Sequence, residues 1–388
     1  MKKTVFIVSA LMSFSVYAAN EGWKNCDDDG IANCEYQIKD GVLTVRPQDN
    51  SQPASIPDYQ RDCSQTRYFE CTTTAPWRWD ENANSVQTVN IESGITSVGS
   101  DAFEDIQMTS VNLPNSLTSI GAMAFIECRS LLNVNLPENL QNIGDSSFAS
   151  TGLKSVIIPS GTESNPLVVD AYAFGAQWKS NGQEGESQIE SLVVGNNVLI
   201  NENAFIYGWN TEKSPFYLDN FKMYCTENNT SCTTALQKTL NYFKEIGNAD
   251  ASAQASDFLA IYTKDGNGFY QIGDKLYATA DLMTHNAACD NAANCQAILD
   301  AASQGKPFEV GGKYYATLDL FANGAACTDK KNCEDILSSN GNPFKVGSKI
   351  YNSMADFANG NYVKHRIYTI DEANRVAGDK NRVSIKYR

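Results

Sequence analysis

The sequence predicts a β-rich repeat protein, in which a solenoid with an N-terminal cap is followed by small disulfide-stapled α+β repeats. Two observations predict this fold class. One phrase occurs five times, and the phenylalanines that close its copies lie 22, 23, 26 and 31 residues apart, at Phe103, Phe125, Phe148, Phe174 and Phe205. A second, longer repeat starts at Tyr270, Phe308 and Phe344. Self-similarity at such periods is typical of units that bury their apolar faces against their neighbours.

Residues 1–18 are predicted to be a signal peptide. Two lysines after Met1 precede an apolar run from Thr4 to Tyr17, and the small residues Val16 and Ala18 fit a cleavage site after Ala18. The apolar run is shorter than the roughly 20 residues that span a bilayer. We therefore expect an exported protein, secreted or at the cell surface, without a transmembrane segment.

Residues 19–85 are predicted to form the N-terminal cap. The stretch Gly41–Val45 predicts a short strand, and Trp77 and Trp79 are expected to cover the apolar end of the first coil. The acidic run Asp27–Gly30 could be a calcium loop, but it lacks the alternating ligand spacing of an EF-hand. We therefore favour a solvated acidic turn there.

The solenoid is predicted over residues 86–210 from the alternation within each copy. In the second copy Val111 and Leu113 are expected to point into the core, while Ser110 and Asn112 point outward, because successive side chains of a strand face opposite sides. Each copy then closes with a small and a large apolar residue. Every coil should therefore contribute to one shared core.

The stretch Met108–Cys128, MTSVNLPNSLTSIGAMAFIEC, resembles the leucine-rich repeats of BspA-like bacterial surface proteins, the treponemal type with the pattern LxxVxLPxxLxxIGxxAFxxC. The tryptophan-marked segment 75–103 is similar to the leading coil of that family. The fourth copy inserts TESNP and the fifth lacks the LP and IG elements, which indicates degenerate or capping coils. The resemblance covers residues 75–205. It implies a leucine-rich-repeat solenoid in a secreted or cell-surface protein that binds other macromolecules, and it implies no catalytic residues.

Residues 211–363 are predicted to contain Cys-loop, tyrosine-rich α+β repeats. The stretches YQIGDKLYAT, FEVGGKYYAT and FKVGSKIYNS each predict a hairpin with glycine in the turn, and the returning strands carry Tyr277, Tyr315 and Tyr351. The first two copies continue into a cysteine loop and a short helix. The segment after Cys225 is similar to that cysteine-loop and helix half. Residues 247–256 fit either a linker or a helix.

Ten of the eleven cysteines fall into close pairs. Disulfides in an oxidising compartment are favoured over zinc ligands, because the chain has no CxxC and only two histidines. The predicted bonds are Cys26–Cys34, Cys63–Cys71, Cys225–Cys232, Cys289–Cys295 and Cys327–Cys333. The remaining Cys128 occupies the cysteine position of the repeat and is expected to be a buried thiol, not a nucleophile. No metal and no cofactor are expected.

Residues 364–388 form a basic C-terminal element in an acidic chain. The formal net charge of the chain is −15, yet this segment carries seven Lys or Arg against three Asp or Glu. One interpretation is a final helix at Ile370–Ala377 and a strand at Val383–Tyr387. The other is an attachment element that a secretion system or an anionic envelope surface recognises. The acidity elsewhere argues against nucleic acid as a partner.

The outward positions of the repeat strands are the candidate binding residues. They form two columns, Thr88, Ser110, Asn133, Ser155 and Ser191 in the first and Asn90, Asn112, Asn135, Ile157 and Val193 in the second. The face is polar at its start and apolar at its end, and such a surface could receive a protein or a glycan. The alternative is a solvated face without a ligand, on which asparagines bond to each other along the stack.

The sequence predicts a binding protein and not an enzyme. It contains no GxSxG, P-loop, HExxH or GxGxxG motif, and neither histidine lies beside a nucleophile motif. Three functions remain: an adhesin or host-interaction protein, a self-associating structural envelope protein, and a secreted hydrolase with two acids brought together by the fold. The exported repeat array favours the first.

Overall fold

The computed structural model describes most of the chain, namely residues 22–27, 32–62, 72–175, 189–206, 221–227, 229–245 and 258–363. The chain divides into two compact units, Met1–Ile261 and Tyr262–Arg388. The predicted signal peptide, most of the acidic turn, the segment 247–256 and the basic element 364–388 lie outside the described residues.

The first unit begins with an antiparallel meander of β1 (Lys24–Asn25), β2 (Cys34–Lys39) and β3 (Val42–Pro47). Side chains alternate along β3, so that Leu43 and Val45 are fully buried while their neighbours are partly exposed. The strand that the sequence predicts in this part of the cap is confirmed.

The cap continues through three two-residue strands and two short 3₁₀-helices. The strands are β4 (Ala54–Ser55), β5 (Arg61–Asp62) and β6 (Thr72–Thr73), and the helices are Pro76–Trp79 and Ala83–Ser85. The first helix is the element that places the two cap tryptophans.

The described residues of this unit contain ten further strands: β7 (Thr88–Ile91), β8 (Ile95–Val98), β9 (Ser110–Asn112), β10 (Ser119–Ile120), β11 (Asn142–Ile143), β12 (Ser155–Ile158), β13 (Leu167–Val169), β14 (Ser191–Val194), β15 (Val198–Ile200) and β16 (Lys222–Thr226). They form parallel ladders. One ladder joins β4, β8, β10, β11, β13 and β15 without a break. On the other side β3, β7 and β9 form one ladder, and β12, β14 and β16 form another.

A stack of aromatic rings runs through the core of the first unit. Trp77 stacks on Phe103 at a centroid distance of 5.2 Å. Each later ring lies 5.2 to 6.2 Å from the one before it, through Phe125, Phe148, Phe174 and Phe205. These phenylalanines are at most 1% exposed, so each coil buries its largest side chain between two neighbours.

The two cap tryptophans behave differently from the prediction. Trp77 covers the first coil, is 1% exposed and donates its indole N–H to the backbone oxygen of Ala102 at 2.7 Å. Trp79 is 69% exposed and donates to the backbone oxygen of Thr73. A 3₁₀-helix has three residues per turn, so positions two apart point in different directions. Only one of the two rings can therefore close the stack.

Glycines at the turn of the first three coils let successive coils approach closely. A Cβ atom on Gly121 would lie 2.6 Å from the backbone nitrogen of Ser100, and one on Gly144 would lie 2.7 Å from the carbonyl carbon of Gly121. Both distances are too short for a side-chain carbon. The IG element of the repeat is therefore a packing requirement between successive coils.

The helix α1 (Thr230–Glu245) lies at the C-terminal end of the array. Its start is tied to the last coil, because the Ser231 hydroxyl donates to the backbone oxygen of Val198 at 2.6 Å. Leu236 and Leu240 are buried in the same core as the phenylalanine stack. The Cys225–Cys232 loop and its helix, which the sequence likened to the later repeats, thus share the core of the first unit.

The described part of the second unit contains three hairpins with their helices. Strand β17 (Leu259–Lys264) begins in the last residues of the first unit. The elements of the hairpins and their helices are β18 (Tyr270–Ile272), β19 (Lys275–Tyr277), α2 (Ala280–Thr284), α3 (Ala292–Ser303), β20 (Phe308–Val310), β21 (Lys313–Tyr315), α4 (Leu318–Ala322), α5 (Lys330–Leu337), β22 (Phe344–Val346), β23 (Lys349–Tyr351) and α6 (Met354–Ala358). The hairpins pair antiparallel around glycines with positive φ. The predicted hairpins, with their tyrosines in the returning strands, are confirmed.

Small polar residues start the helices of this unit. The side chains of Thr279, Thr317 and Ser353 accept hydrogen bonds from backbone N–H groups one turn later. Asn291 and Asp329 do the same for α3 and α5. Each cysteine loop therefore passes directly into a capped helix.

Each cysteine loop also holds the next hairpin. The amide of Asn294 donates to the backbone oxygen of Glu309 at 3.0 Å, and that of Asn332 donates to the oxygen of Lys345 at 2.8 Å. The third copy departs from this pattern, because Val363 stands where the first two have a cysteine and its N–H donates to Ile350.

Four of the predicted disulfides are formed: Cys26–Cys34, Cys225–Cys232, Cys289–Cys295 and Cys327–Cys333. The predicted Cys63–Cys71 bond lies outside the described residues. Cys128 is a free, fully buried cysteine, as expected.

Candidate ligand-binding face

The strands of the broken ladder place most of the candidate residues on one outward face. Thr88, Ser110, Ser155 and Ser191 of the first column are partly exposed, and Asn133 is exposed. In the second column Asn90 is partly exposed, Asn112 and Asn135 are exposed, and Ile157 is 38% exposed. We call this surface the strand face.

Polar side chains bond to each other along the strand face. The hydroxyls of Thr88 and Ser110 lie 3.0 Å apart, and Asn112 donates its amide to the Asn90 side chain at 3.4 Å. Further along, the Ser191 hydroxyl donates to that of Ser155 at 2.8 Å. The contact between Asn112 and Asn90 is the kind expected of a solvated face on which asparagines bond to each other along the stack.

Val193 does not belong to the exposed face, because its side chain is only 1% exposed. The next strand carries Tyr224 in register with Val193, and Tyr224 is itself 6% exposed. A large ring beside a small side chain removes it from solvent. The apolar end of the face is therefore formed by Ile157, and the fifth coil does not contribute its valine.

The third coil interrupts the ladder of the strand face. Residues 130–137 are described and contain no strand, although the opposite ladder continues through β11. Val111 follows Phe103 by 8 residues, whereas Val134 follows Phe125 by 9. We attribute the break to this extra residue, which displaces the chain as it enters the strand.

A cleft of about 470 Å³ opens between the second and third coils at this break. It is lined by Leu113, Asn115, Asn135, Leu136, Pro137, Glu138 and Asn139. The Asn139 amide bridges the two coils by donating to the backbone oxygen of Asn115 at 2.8 Å. On the same coil as Asn135, Leu132 is 48% exposed. Sequence reasoning missed this cleft, although the additional residue was visible in the repeat spacing.

His285, the one histidine within the described residues, does not form a catalytic relay with the nearby Thr284 hydroxyl. Thr284 Oγ1 and the backbone oxygen of Asp281 both lie within 3.3 Å of His285 Nδ1. The Asp281 carboxylate is 3.6 Å from the same nitrogen. A nucleophile and an orienting acid need opposite ring nitrogens, so this cluster cannot move a proton from one to the other.

Cys128 is also unsuited to nucleophilic chemistry. Its Sγ donates to the backbone oxygen of Phe103 at 3.1 Å. Burial raises the pKa of the Cys128 thiol well above its ordinary value, so the thiol stays protonated. Within the described residues, no three metal-ligating side chains come together as a metal site would require.

One pair of acids is electrostatically coupled on the coils. Burial, and to a lesser degree the charge of Asp145, raises the pKa of the Asp170 carboxyl above its ordinary value. The pair stands on neighbouring coils of the uninterrupted ladder, away from the strand face.

The parallel ladders and the ring stack define a leucine-rich repeat fold. Residues 81–177 match the family model described as BspA type Leucine rich repeat region, with six copies. The predicted resemblance is thereby confirmed: this part of the chain consists of BspA-type leucine-rich repeats. No curated protein matches the chain.

Several solved structures are similar to the chain. A leucine-rich repeat protein from Bacteroides capillosus is 27% identical, with 42% of this chain and 95% of that one covered and a TM-score of 0.21. The T. pallidum leucine-rich repeat protein is 16% identical, with 58% and 97% covered and a TM-score of 0.24. The pneumococcal vaccine antigen PcpA is 18% identical with a TM-score of 0.32; the match covers 60% of this chain and 47% of that one.

Proposed function

We propose that the chain is an exported bacterial leucine-rich-repeat protein that acts by binding a macromolecule, as an adhesin or a partner-binding protein at the cell surface. The observation that carries this proposal is the strand face, where Asn112, Asn135 and Ile157 are exposed on three successive coils. A rigid, partly apolar surface with ordered polar groups costs little to organise for binding. The partner is a protein or a glycan, not a nucleic acid, since the chain carries a net charge of −15.

Screening the full chain on protein and glycan arrays tests this function. The triple variant Asn112→Ala, Asn135→Ala, Ile157→Ala should bind such a partner much more weakly, because it removes exposed side chains and leaves the buried core intact. Circular dichroism should show unchanged thermal unfolding. Unchanged affinity of the triple variant for the partner would contradict the proposal.

We also propose that the coils of residues 86–210 form a solenoid whose surface location depends on the signal peptide at residues 1–18 and the basic element 364–388. None of the described helices combines the length and apolar character needed to cross a bilayer. Protease treatment of intact cells tests the attachment. Full-length protein should be shaved from the surface while a version that ends at Tyr362 is released; equal distribution of both would refute attachment through the tail.

Self-association as a structural envelope protein is the second candidate function. It is favoured by the end of the uninterrupted ladder, where Leu199 is 51% exposed in register with Val168. Light scattering at increasing concentration tests it: growth in mass that Leu199→Asp abolishes would select this function.

We assign no enzymatic activity to the chain. Turnover of a glycan library that is lost in the double variant Asp145→Asn, Asp170→Asn would contradict this.

A further inference from the structure

The cleft at the third coil has an apolar floor that the other coils lack. The residue that follows the outward asparagine is partly exposed in the second and third coils, as Leu113 and Leu136. In the first, fourth and fifth coils the equivalent residues are Ile91, Ile158 and Val194, which are at most 3% exposed. Both leucines pack against the core, as predicted for Leu113, and their remaining surface lines a space of about 470 Å³, which lies within the usual size of ligand pockets.

The rim of the cleft is polar and carries one charge. Asn115, Asn135 and Asn139 present side-chain amides, each able to donate and accept hydrogen bonds. Glu138 lines the cleft, is exposed, and takes part in none of the ion pairs within the described part of the chain. Its carboxylate is thus available to a cationic group, and the negative charge of the whole chain would steer such a group inward.

The backbone of residues 133–136 makes no ladder bonds. No hydrogen bond joins the N–H groups of residues 133–136 to other backbone groups in the described structure, because this stretch stands outside the ladder. When proteins recognise extended peptides, main-chain hydrogen bonds give affinity and side-chain pockets give specificity. No aromatic side chain lines the cleft on which a sugar ring could stack.

We propose that this inter-coil cleft binds an extended peptide segment, with one large apolar side chain against Leu113 and Leu136 and a neighbouring Lys or Arg paired with Glu138. This assignment rests on the proposed binding function of the strand face and names the class of its partner. The peptide backbone bonds to the rim amides. Leu132 and Ile157, on the third and fourth coils, contact the segment outside the cleft.

Panning the full chain against a phage library of random dodecapeptides tests the proposal. The enriched peptides should share a large apolar residue next to Lys or Arg. A labelled synthetic copy should then bind at least about tenfold more weakly to Glu138→Gln and to Asn135→Ala, measured by fluorescence polarisation. The matched control is Glu163→Gln, which removes the same charge from an exposed position on the fourth coil and should leave the affinity unchanged.

Other outcomes overturn the inference. If no peptide is enriched, or if both cleft variants bind the peptide like the unaltered chain, the cleft is not a peptide site. If an array glycan binds in a Glu138-dependent way while peptides do not, the partner class is wrong. In either case the strand-face proposal is decided separately, by the response of array partners to the double variant Asn112→Ala, Ile157→Ala, which leaves the cleft lining unchanged.

Discussion

Each of the two units of the chain is stabilised internally in a different way. In the first unit one continuous apolar cluster runs from the cap through all coils to α1. In the second unit the buried residues form two separate clusters, and each contains one disulfide, Cys289–Cys295 or Cys327–Cys333. A stack distributes its stability over neighbouring contacts, whereas small units with small cores depend on covalent closure. The first unit should therefore be sensitive to core truncation and the second to loss of its disulfides.

The largest expected loss of stability comes from truncating a phenylalanine of the ring stack. Phe125→Ala removes a fully buried ring between two others and should destabilise the first unit by about 3 to 5 kcal/mol. Amide hydrogen exchange of the full chain should show faster exchange throughout the coils and no change in the three hairpins. Trp79→Ala, which truncates an exposed ring, is the control. Equal loss of protection in both units would contradict the comparison.

Removing a disulfide of the second unit should destabilise that unit and leave the coils of the first unit unaffected. The double variant Cys289→Ala, Cys295→Ala opens a short loop and should cost the second unit about 2 kcal/mol, by the loop-entropy account. Urea unfolding followed by hydrogen exchange separates the units. A larger loss in the coils than in the hairpins would show that the second unit does not depend on its covalent closures.

A smaller loss of stability is expected from replacing the asparagines whose side chains bond to the neighbouring repeat. Asn332→Ala removes the bond to Lys345 and Asn139→Ala removes the bond to Asn115. Each should cost about 1 kcal/mol, in the second and first unit respectively. Thermal unfolding of the two variants checks this, with Asn359→Ala, whose amide bonds within its own helix end, as a control. Destabilisation of the control by the same amount would show that the bonds between repeats have no special role.

The smallest effect concerns Asp170. Burial and the charge of Asp145 raise the pKa of this carboxyl in the folded state, so folding favours its protonated form and stability is gained as the pH falls through that pKa. Asp170→Asn should therefore stabilise the first unit at neutral pH by less than about 0.5 kcal/mol. The gain should disappear in acid, once the Asp170 carboxyl is protonated in both states. A gain that grows as the pH falls would contradict this assignment.

Much of this architecture could be predicted because it depends on local pattern. The phenylalanines, the glycine turns and the hairpin tyrosines repeat with the coils or hairpins that they close, and short cysteine separations favour local disulfides. The burial of Val193 could not be predicted, since it depends on Tyr224 from a strand outside the recognised repeat. The exposure of Trp79 depends on the helical turn that separates it from Trp77.

The candidate face could be predicted in part for the same reason. Alternation identifies which side chains point outward, but ladder hydrogen bonds form between coils, so the break at residues 130–137 required the three-dimensional arrangement. The cleft exists because of that break. The proposed peptide site thus lies where the repeat departs from its own spacing.

The central claim is that recognition belongs to the strand face of the first unit and not to the hairpin repeats. Amide hydrogen exchange of the full chain with and without an array-selected partner tests it most directly. Binding on the strand face should slow exchange in the second to fourth coils, around residues 109–113, 131–139 and 154–158, and should leave the hairpins unchanged. Protection confined to residues 270–351 would place the binding site in the second unit and contradict the account.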